Sequence, residues 1–181
     1  MARMRIWVLA LLLFPVTGFA DEALWAQLKA GGQAVLIRHA VTTPGAGDPA
    51  GMRLDDCGTQ RNLTEEGRAH ARRIGEEFRR RGIPVERVLS SPWCRCLETA
   101  RLAFGKAEVS LPLSNLFGRY GNREAQVLEM RKLIKTVPQN GNLVLVTHGS
   151  TILALTGVSP ATGEMVIVAP DAKVLGRLSS E

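Results

Sequence analysis

Ala34-Val35-Leu36-Ile37-Arg38-His39-Ala40 is the stretch whose reading decides the fold. Four apolar residues, two of them β-branched, run directly into an arginine and a histidine, after Gly31-Gly32 and ahead of Pro44-Gly45. A short apolar run bounded by turn residues reads as a buried strand opening into a loop. In an open α/β sheet, ligands sit just beyond the carboxyl ends of the strands. Arg38 and His39 therefore leave the chain where a ligand is expected. Arginine offers a planar fork for phosphate or carboxylate, and histidine acts as nucleophile, acid or base near neutral pH. Taken alone, the pair reads first as a strand that merely ends in polar residues.

Outward from this strand, the pattern alternates. Residues 21–29 predict a short amphipathic helix before it, and residues 41–61 a long loop after it. Loops of about 20 residues in a compact domain usually carry function. Thr64 then caps a helix over 65–81, with Glu65 and Glu66 in its first turn and Gly82 and Pro84 past its end. Strands are expected at 85–89, 108–111, 142–146, 165–168 and 173–178, and helices at 93–104, 124–136 and 150–156. This order predicts an α/β three-layer sandwich, a mainly parallel sheet with helices on both faces. No repeat or linker divides it, so one domain is expected over residues 21–181.

Residues 1–20 read as a leader outside that domain. A basic start with Arg3 and Arg5 precedes a nine-residue apolar run, and Gly18 and Ala20 stand at the small-residue positions of a cleavage site. That is the pattern of a secretory signal peptide, which predicts a periplasmic or secreted protein. The run is shorter than the roughly 20 residues of a membrane helix, so no stable span is expected after cleavage. The full chain carries a net charge of +6; loss of the leader leaves 21 basic against 17 acidic residues. The charge is dispersed, apart from Arg79-Arg80-Arg81 at a helix end, so no nucleic-acid partner is expected. Export permits a disulfide, and Cys57 with Cys94 or Cys96 is the plausible bridge, leaving one thiol free.

The chain has three histidines, and two of them, His39 and His148, stand at the exits of predicted buried strands. His70 lies among arginines within the 65–81 helix and reads as a solvated surface residue. Arg95 falls in the first turns of the helix after the Ser90-Ser91-Pro92 strand end, where backbone N–H groups favour anions. Two guanidiniums and two imidazoles around one spot suit a phosphoryl group: the arginines neutralise its oxygens while a neutral imidazole attacks phosphorus. A covalent phosphohistidine would divide hydrolysis into two easier steps. Nothing in the sequence calls for Mg²⁺ or a nucleotide P-loop.

These residues also resemble the histidine phosphatase superfamily, the phosphoglycerate mutase-like group. Arg38-His39-Ala40 looks like its signature after the first strand, and Asn62-Leu63-Thr64-Glu65-Glu66-Gly67 like its helix start. Ser90-Ser91 through Arg95 to Thr99-Ala100 resembles its second arginine segment, and Val146-Thr147-His148-Gly149 its second histidine motif. The resemblance covers about residues 34–155. It implies that His39 becomes phosphorylated and that Arg38, Arg95 and His148 bind the phosphate, with Thr42 or Thr43 at the pocket wall. It implies a phosphoric monoester hydrolase without metal or organic cofactor. Phe117 stands where many members carry a general-acid glutamate. Glu124 is the nearest carboxylate, with Asp48, Asp55, Asp56 and the more distant Glu164 as rivals. The expected substrate is a small phosphorylated molecule, such as a sugar or lipopolysaccharide-core phosphate. The alternatives are a phosphohistidine on a protein, or a phosphate-binding module without catalysis.

Overall fold

The structure is a computed structural model that describes residues 17–118 and 122–179. Residues 1–16 of the expected leader lie outside the described residues. Helix α1 spans Thr17–Ala30 and so crosses the boundary expected after Ala20. Its buried packing residues, Leu24, Trp25 and Leu28, all fall beyond that boundary.

The 34–40 stretch forms strand β1 (Ala34–Arg38), buried through its first four residues. Then follow α2 (Glu65–Arg81), β2 (Val85–Ser90), α3 (Cys94–Phe104), β3 (Glu108–Val109), α4 (Arg123–Ile134), β4 (Asn142–Thr147), α5 (Gly149–Thr156), β5 (Met165–Val168) and β6 (Val174–Leu178). They build one six-stranded sheet in the order β3-β2-β4-β1-β5-β6. The first four run parallel, and β5 lies antiparallel to both β1 and β6. The sheet is therefore mixed, with β5 as the described strand that runs against the rest. The expected 108–111 strand is shorter, because Pro112 helps turn Leu111–Leu113 into a 3-10 helix.

Side chains alternate across the sheet, as a strand's period of two requires. Val35, Ile37, Val144 and Val146 meet residues of α1, α2 and α3 on one face. Ala34, Leu36, Leu143 and Leu145 meet Met130, Ile134, Ile152 and Leu155 of α4 and α5 on the other. Burial on both faces explains why β1 and β4 read as unbroken apolar runs.

Helix α2 lies close against α3 through a glycine. A Cβ at Gly75 would stand only 1.9 Å from the Ala103 carbonyl oxygen. Gly67, nearer the start of α2, lets the chain after His39 pass equally close: its Cβ would lie 2.0 Å from the Val41 carbonyl oxygen. A disulfide joins Cys57 to Cys94, leaving Cys96 as the free, buried thiol. It fastens the end of the long loop to the first turn of α3.

An alanine normally stabilises a helix interior relative to glycine by about 1 kcal/mol. Gly75→Ala should do the opposite, lowering unfolding stability by roughly 1–3 kcal/mol through overpacking against Ala103. Denaturant midpoints of the two proteins check the sign.

Candidate active site

Sheet register brings the two histidines together. Arg38 pairs with Thr147 at the end of the parallel β1–β4 ladder, so His39 and His148 are the next residues on adjacent strands. The His39 amide donates to the Thr147 carbonyl at 2.9 Å, and the two rings meet edge to face at 5.4 Å. On the far side of β4, the Ser91 amide continues the β2 ladder to the Val146 carbonyl at 2.9 Å. Arg95 follows in the first turn of α3 and is 1% exposed.

Arg38, Arg61 and Arg95 line one cavity of about 290 Å³ together with both histidines. Arg38 donates through Nη1 to the Pro160 carbonyl at 2.8 Å and lies against the Cα of Gly149. Arg61 donates through Nη1 to the Gly45 carbonyl at 2.7 Å. Arg95 grips Asp48 with both ends of its fork, at 2.6 and 3.1 Å. In all three residues the Nε–H is buried and has no hydrogen-bond partner among the described residues. Unpaired buried donors of this charge are costly unless an anion completes them. Arg61 is absent from the residues singled out by sequence, although it stands directly before the Asn62-Leu63-Thr64 helix start.

Ring chemistry fixes the tautomer of His39. Its Nδ1 lies 2.9 Å from the Ala40 carbonyl oxygen, which can only accept, so Nδ1 carries the proton. Nε2 is left with a free lone pair. Burial, together with the nearby Arg95, Arg38 and Arg61 charges, pushes the His39 pKa down to about 3. Burial, then the His39 ring and the same arginines, holds His148 well below the ordinary imidazole range. Both rings are therefore neutral at pH 7. His148 Nε2 sits 2.8 Å from the Ser91 hydroxyl, which also accepts weakly from the Trp93 amide. The Cys96 thiol packs beneath at 3.5 Å, and burial pushes it up to about 12, so it stays protonated.

Of the expected site residues, the structure unites His39, Arg38, Arg95 and His148, and leaves out Thr42 and Glu124. Thr42 forms a bridge with Leu63, and Thr43 donates its amide to the Asn62 carbonyl. Both align the loop with the start of α2, outside the cavity. Glu124 lines no part of this cavity: it lies in the first turn of α4 and lines a separate one with Val127, Leu128 and Arg131. The rivals are also committed elsewhere. Asp48 has a 2% exposed side chain and takes Arg95, the Arg61 amide and the Trp93 indole N–H. Burial alone would raise its carboxyl, but those partners outweigh it and hold it below the usual carboxylate range. Asp55 pairs with Arg53 in solvent, and Asp56 caps the Cys57–Thr59 turn through Gly58. Hydrogen bonding from Arg177 holds Glu164 ionised. His70 is not solvated as expected: it is half-buried and packs against Gly163 in the loop before β5. No group of three His, Cys, Asp or Glu among the described residues is arranged to hold a metal ion.

Residues 34–116 match the family model described as the histidine phosphatase superfamily (branch 1). The match ends before His148, which the sheet brings in. No curated protein matches the chain. Three solved structures illustrate the shared fold. Phosphoglycerate mutase from Thermus thermophilus has a TM-score of 0.58 at 20% identity, over 82% of this chain and 99% of that one. The open reading frame Rv3214 from Mycobacterium tuberculosis has a TM-score of 0.61 at 17% identity, over 82% and 95%. The protein histidine phosphatase SixA complexed with tungstate has a TM-score of 0.56 at 18% identity, over 82% and 97%.

The depressed histidines make stability depend on pH with a fixed sign. Below the ordinary histidine value of about 6.5 the unfolded chain binds protons that native His39 and His148 refuse, so stability falls as pH drops. Between pH 7 and 5 each histidine should remove about 2 kcal/mol. Urea unfolding at both pH values tests this, and His148→Gln should flatten the dependence. Removing the Asp48 carboxylate leaves Arg95 uncompensated in the interior. Asp48→Asn should therefore cost about 3–5 kcal/mol, measured in the same way at pH 7.

Proposed function

Because the chain belongs to the histidine phosphatase superfamily, we propose that it hydrolyses phosphoryl donors through a phosphohistidine on His39. One observation carries the proposal. A neutral imidazole with a free Nε2 opens into the same cavity as three guanidiniums whose buried Nε–H groups lack partners among the described residues. SixA in complex with tungstate supports the same reading, since tungstate is a tetrahedral oxyanion like phosphate.

In the first step the His39 Nε2 lone pair attacks phosphorus in line, and the bond to the leaving group breaks with its electron pair going to that group. The Ala40 carbonyl holds the Nδ1 proton and so stabilises the charge that grows on the ring. Arg38, Arg61 and Arg95 neutralise the phosphoryl oxygens, which spread charge in the transition state. His148 lines the same cavity, its ring edge to face with that of His39 and its Nε2 held 2.8 Å from the Ser91 hydroxyl. In the second step water attacks phosphorus, the P–N bond breaks, and Nε2 regains its lone pair. The water proton passes to the phosphate that forms.

A neutral nucleophile is what this chemistry requires, and the pocket keeps His39 neutral over the whole physiological range. The protein itself supplies the electrophilic assistance, so no metal or cofactor enters the scheme. A mutase must shelter its phosphoenzyme from water, and the cavity here opens beside an exposed Phe117. Hydrolysis is therefore favoured over transfer. The leader-like residues 1–20 and the Cys57–Cys94 disulfide support an exported, oxidising setting for the enzyme. Among the described residues no helix is long and apolar enough to cross a membrane.

Mixing enzyme with 4-nitrophenyl phosphate and quenching in alkali should trap one phosphate per chain, alkali-stable and acid-labile, on His39. His39→Ala should abolish trapping and lower turnover at least ~10³-fold, while EDTA leaves the rate unchanged. Phosphate binding by tungstate-competable dialysis without any turnover would leave only a binding module.

A further inference from the structure

Asn115 lines the same cavity as both histidines and is 4% exposed. Its Oδ1 accepts from the Phe117 amide at 3.0 Å and from the Ser150 hydroxyl at 2.9 Å. A backbone N–H can only donate, so the atom beside Phe117 is the oxygen and the other is the NH2 group. That Nδ2 has no hydrogen-bond partner among the described residues, and unlike the three arginine Nε atoms it is not fully enclosed. The open space that Asn115 meets is the cavity, so a neutral pair of N–H donors opens there.

The backbone around this amide is fixed. The Leu113 carbonyl accepts from the Thr147 hydroxyl at 2.6 Å. The Ser114 carbonyl accepts from the Thr151 hydroxyl at 2.9 Å and from the Gln126 side-chain amide at 2.6 Å. Leu113 and Leu116 are buried on either side. Thr147, Ser150 and Thr151 all lie within three residues of His148, so the end of β4 and the start of α5 place Asn115 and His148 together.

Charge sorts the donors of the cavity. Phosphoryl oxygens are anionic before reaction begins, and charged donors bind such oxygens about twice as strongly as neutral ones. The guanidiniums suit them. The bridging oxygen of a monoester gains its charge only as its bond to phosphorus breaks. A neutral donor already held in place suits that oxygen, and its hydrogen bond strengthens as the charge develops. Two residues beyond Asn115, Phe117 lines the same cavity and is 54% exposed. The wall at Asn115 therefore lies between the buried arginines and the way out for a leaving group.

We propose that Asn115 is a catalytic hydrogen-bond donor to the bridging oxygen of the substrate, and so a determinant of specificity for oxygen-bridged phosphoryl groups. This rests on the His39 reading and adds to it the recognition of the leaving group. As the His39 Nε2–P bond forms, the P–O bond breaks and its electron pair goes to the oxygen. Asn115 keeps its proton throughout, an amide being too weak an acid to release it, and solvent protonates the departing oxygen.

Asn115→Asp tests this on the full chain, because the carboxylate keeps an acceptor for Phe117 and Ser150 while exchanging the NH2 for an oxygen. The substrates are phenyl phosphate and S-phenyl phosphorothioate, whose bridging sulfur accepts hydrogen bonds poorly. The variant should lose about 10²-fold in kcat/KM on phenyl phosphate, and at least ~10-fold less than that on the sulfur analogue. Repulsion by the new carboxylate, or a shift of the wall, lowers both substrates alike and cancels in the comparison. Asn115→Ala, which adds no charge, should show the same difference, and urea midpoints establish that each variant is folded. Equal losses on the two substrates in either folded variant overturn the proposal. Failure of the unsubstituted protein to yield a trapped phosphohistidine would instead overturn the His39 reading beneath it.

Discussion

Everything at this site depends on the ion pair between Asp48 and Arg95. Three guanidiniums held in one cavity repel one another, and at protein-like screening a close pair of like charges costs a few kcal/mol. Asp48 is the carboxylate that relieves this among the described residues. It uses both oxygens, with Arg95 on each and the Arg61 amide and Trp93 indole completing them. One negative charge against three positive ones leaves the pocket under-neutralised, and the three Nε–H groups are buried without partners among the described residues. That excess of positive charge is what the proposed anionic substrate would offset. The same pair fastens the 41–61 loop to α3, so that loop position and arginine position are set together.

The disulfide and the glycines extend this constraint. Cys57–Cys94 ties the loop to the first turn of α3 just beside Arg95, and the Cys94 amide donates to the Gln60 side chain at 2.9 Å. Gly67 allows the chain leaving His39 to run against α2. Ala40 receives support as well: its amide donates to the Thr99 hydroxyl at 3.1 Å, and its carbonyl fixes the His39 proton. The His39 ring is oriented by backbone, which cannot rotate away as a side chain could. A long loop in a small domain is usually mobile. Here it carries a buried charge, a crosslink and a pocket arginine, and these hold it.

Strand β1 and the two histidine exits are legible because burial on both faces forces long apolar runs, and such runs end visibly at a polar residue. The sheet's reversal at β5 is not, since a short Met-Val-Ile-Val run carries no sign of its direction. Arg61 escapes the sequence pattern because nothing local distinguishes it from other surface arginines; only the loop's return across the strand ends places it. Asp48 shows the opposite failure. A carboxylate in a glycine-rich loop reads as an available acid, and burial against Arg95 commits it. His70 reads as solvated among arginines, yet the loop at Gly163 covers it. Each miss concerns a contact between residues far apart in sequence, which residue patterns do not encode.

The low basicity of His39 and the nucleophilic role proposed for it are one property seen twice. The burial and arginine charges that make its proton hard to hold would, in the proposed mechanism, also hold a phosphoryl group against its lone pair. Once phosphate is bound, its negative charge offsets the arginines, and the field that had disfavoured positive charge on the ring is relieved. That relief comes at the moment Nε2 bonds to phosphorus and the ring becomes cationic. The Ala40 carbonyl, fixed in place before the reaction, meets the same charge from the other nitrogen. Under the proposed mechanism the site would hold the histidine neutral until a phosphoryl group is bound and tolerate it charged only beside that group.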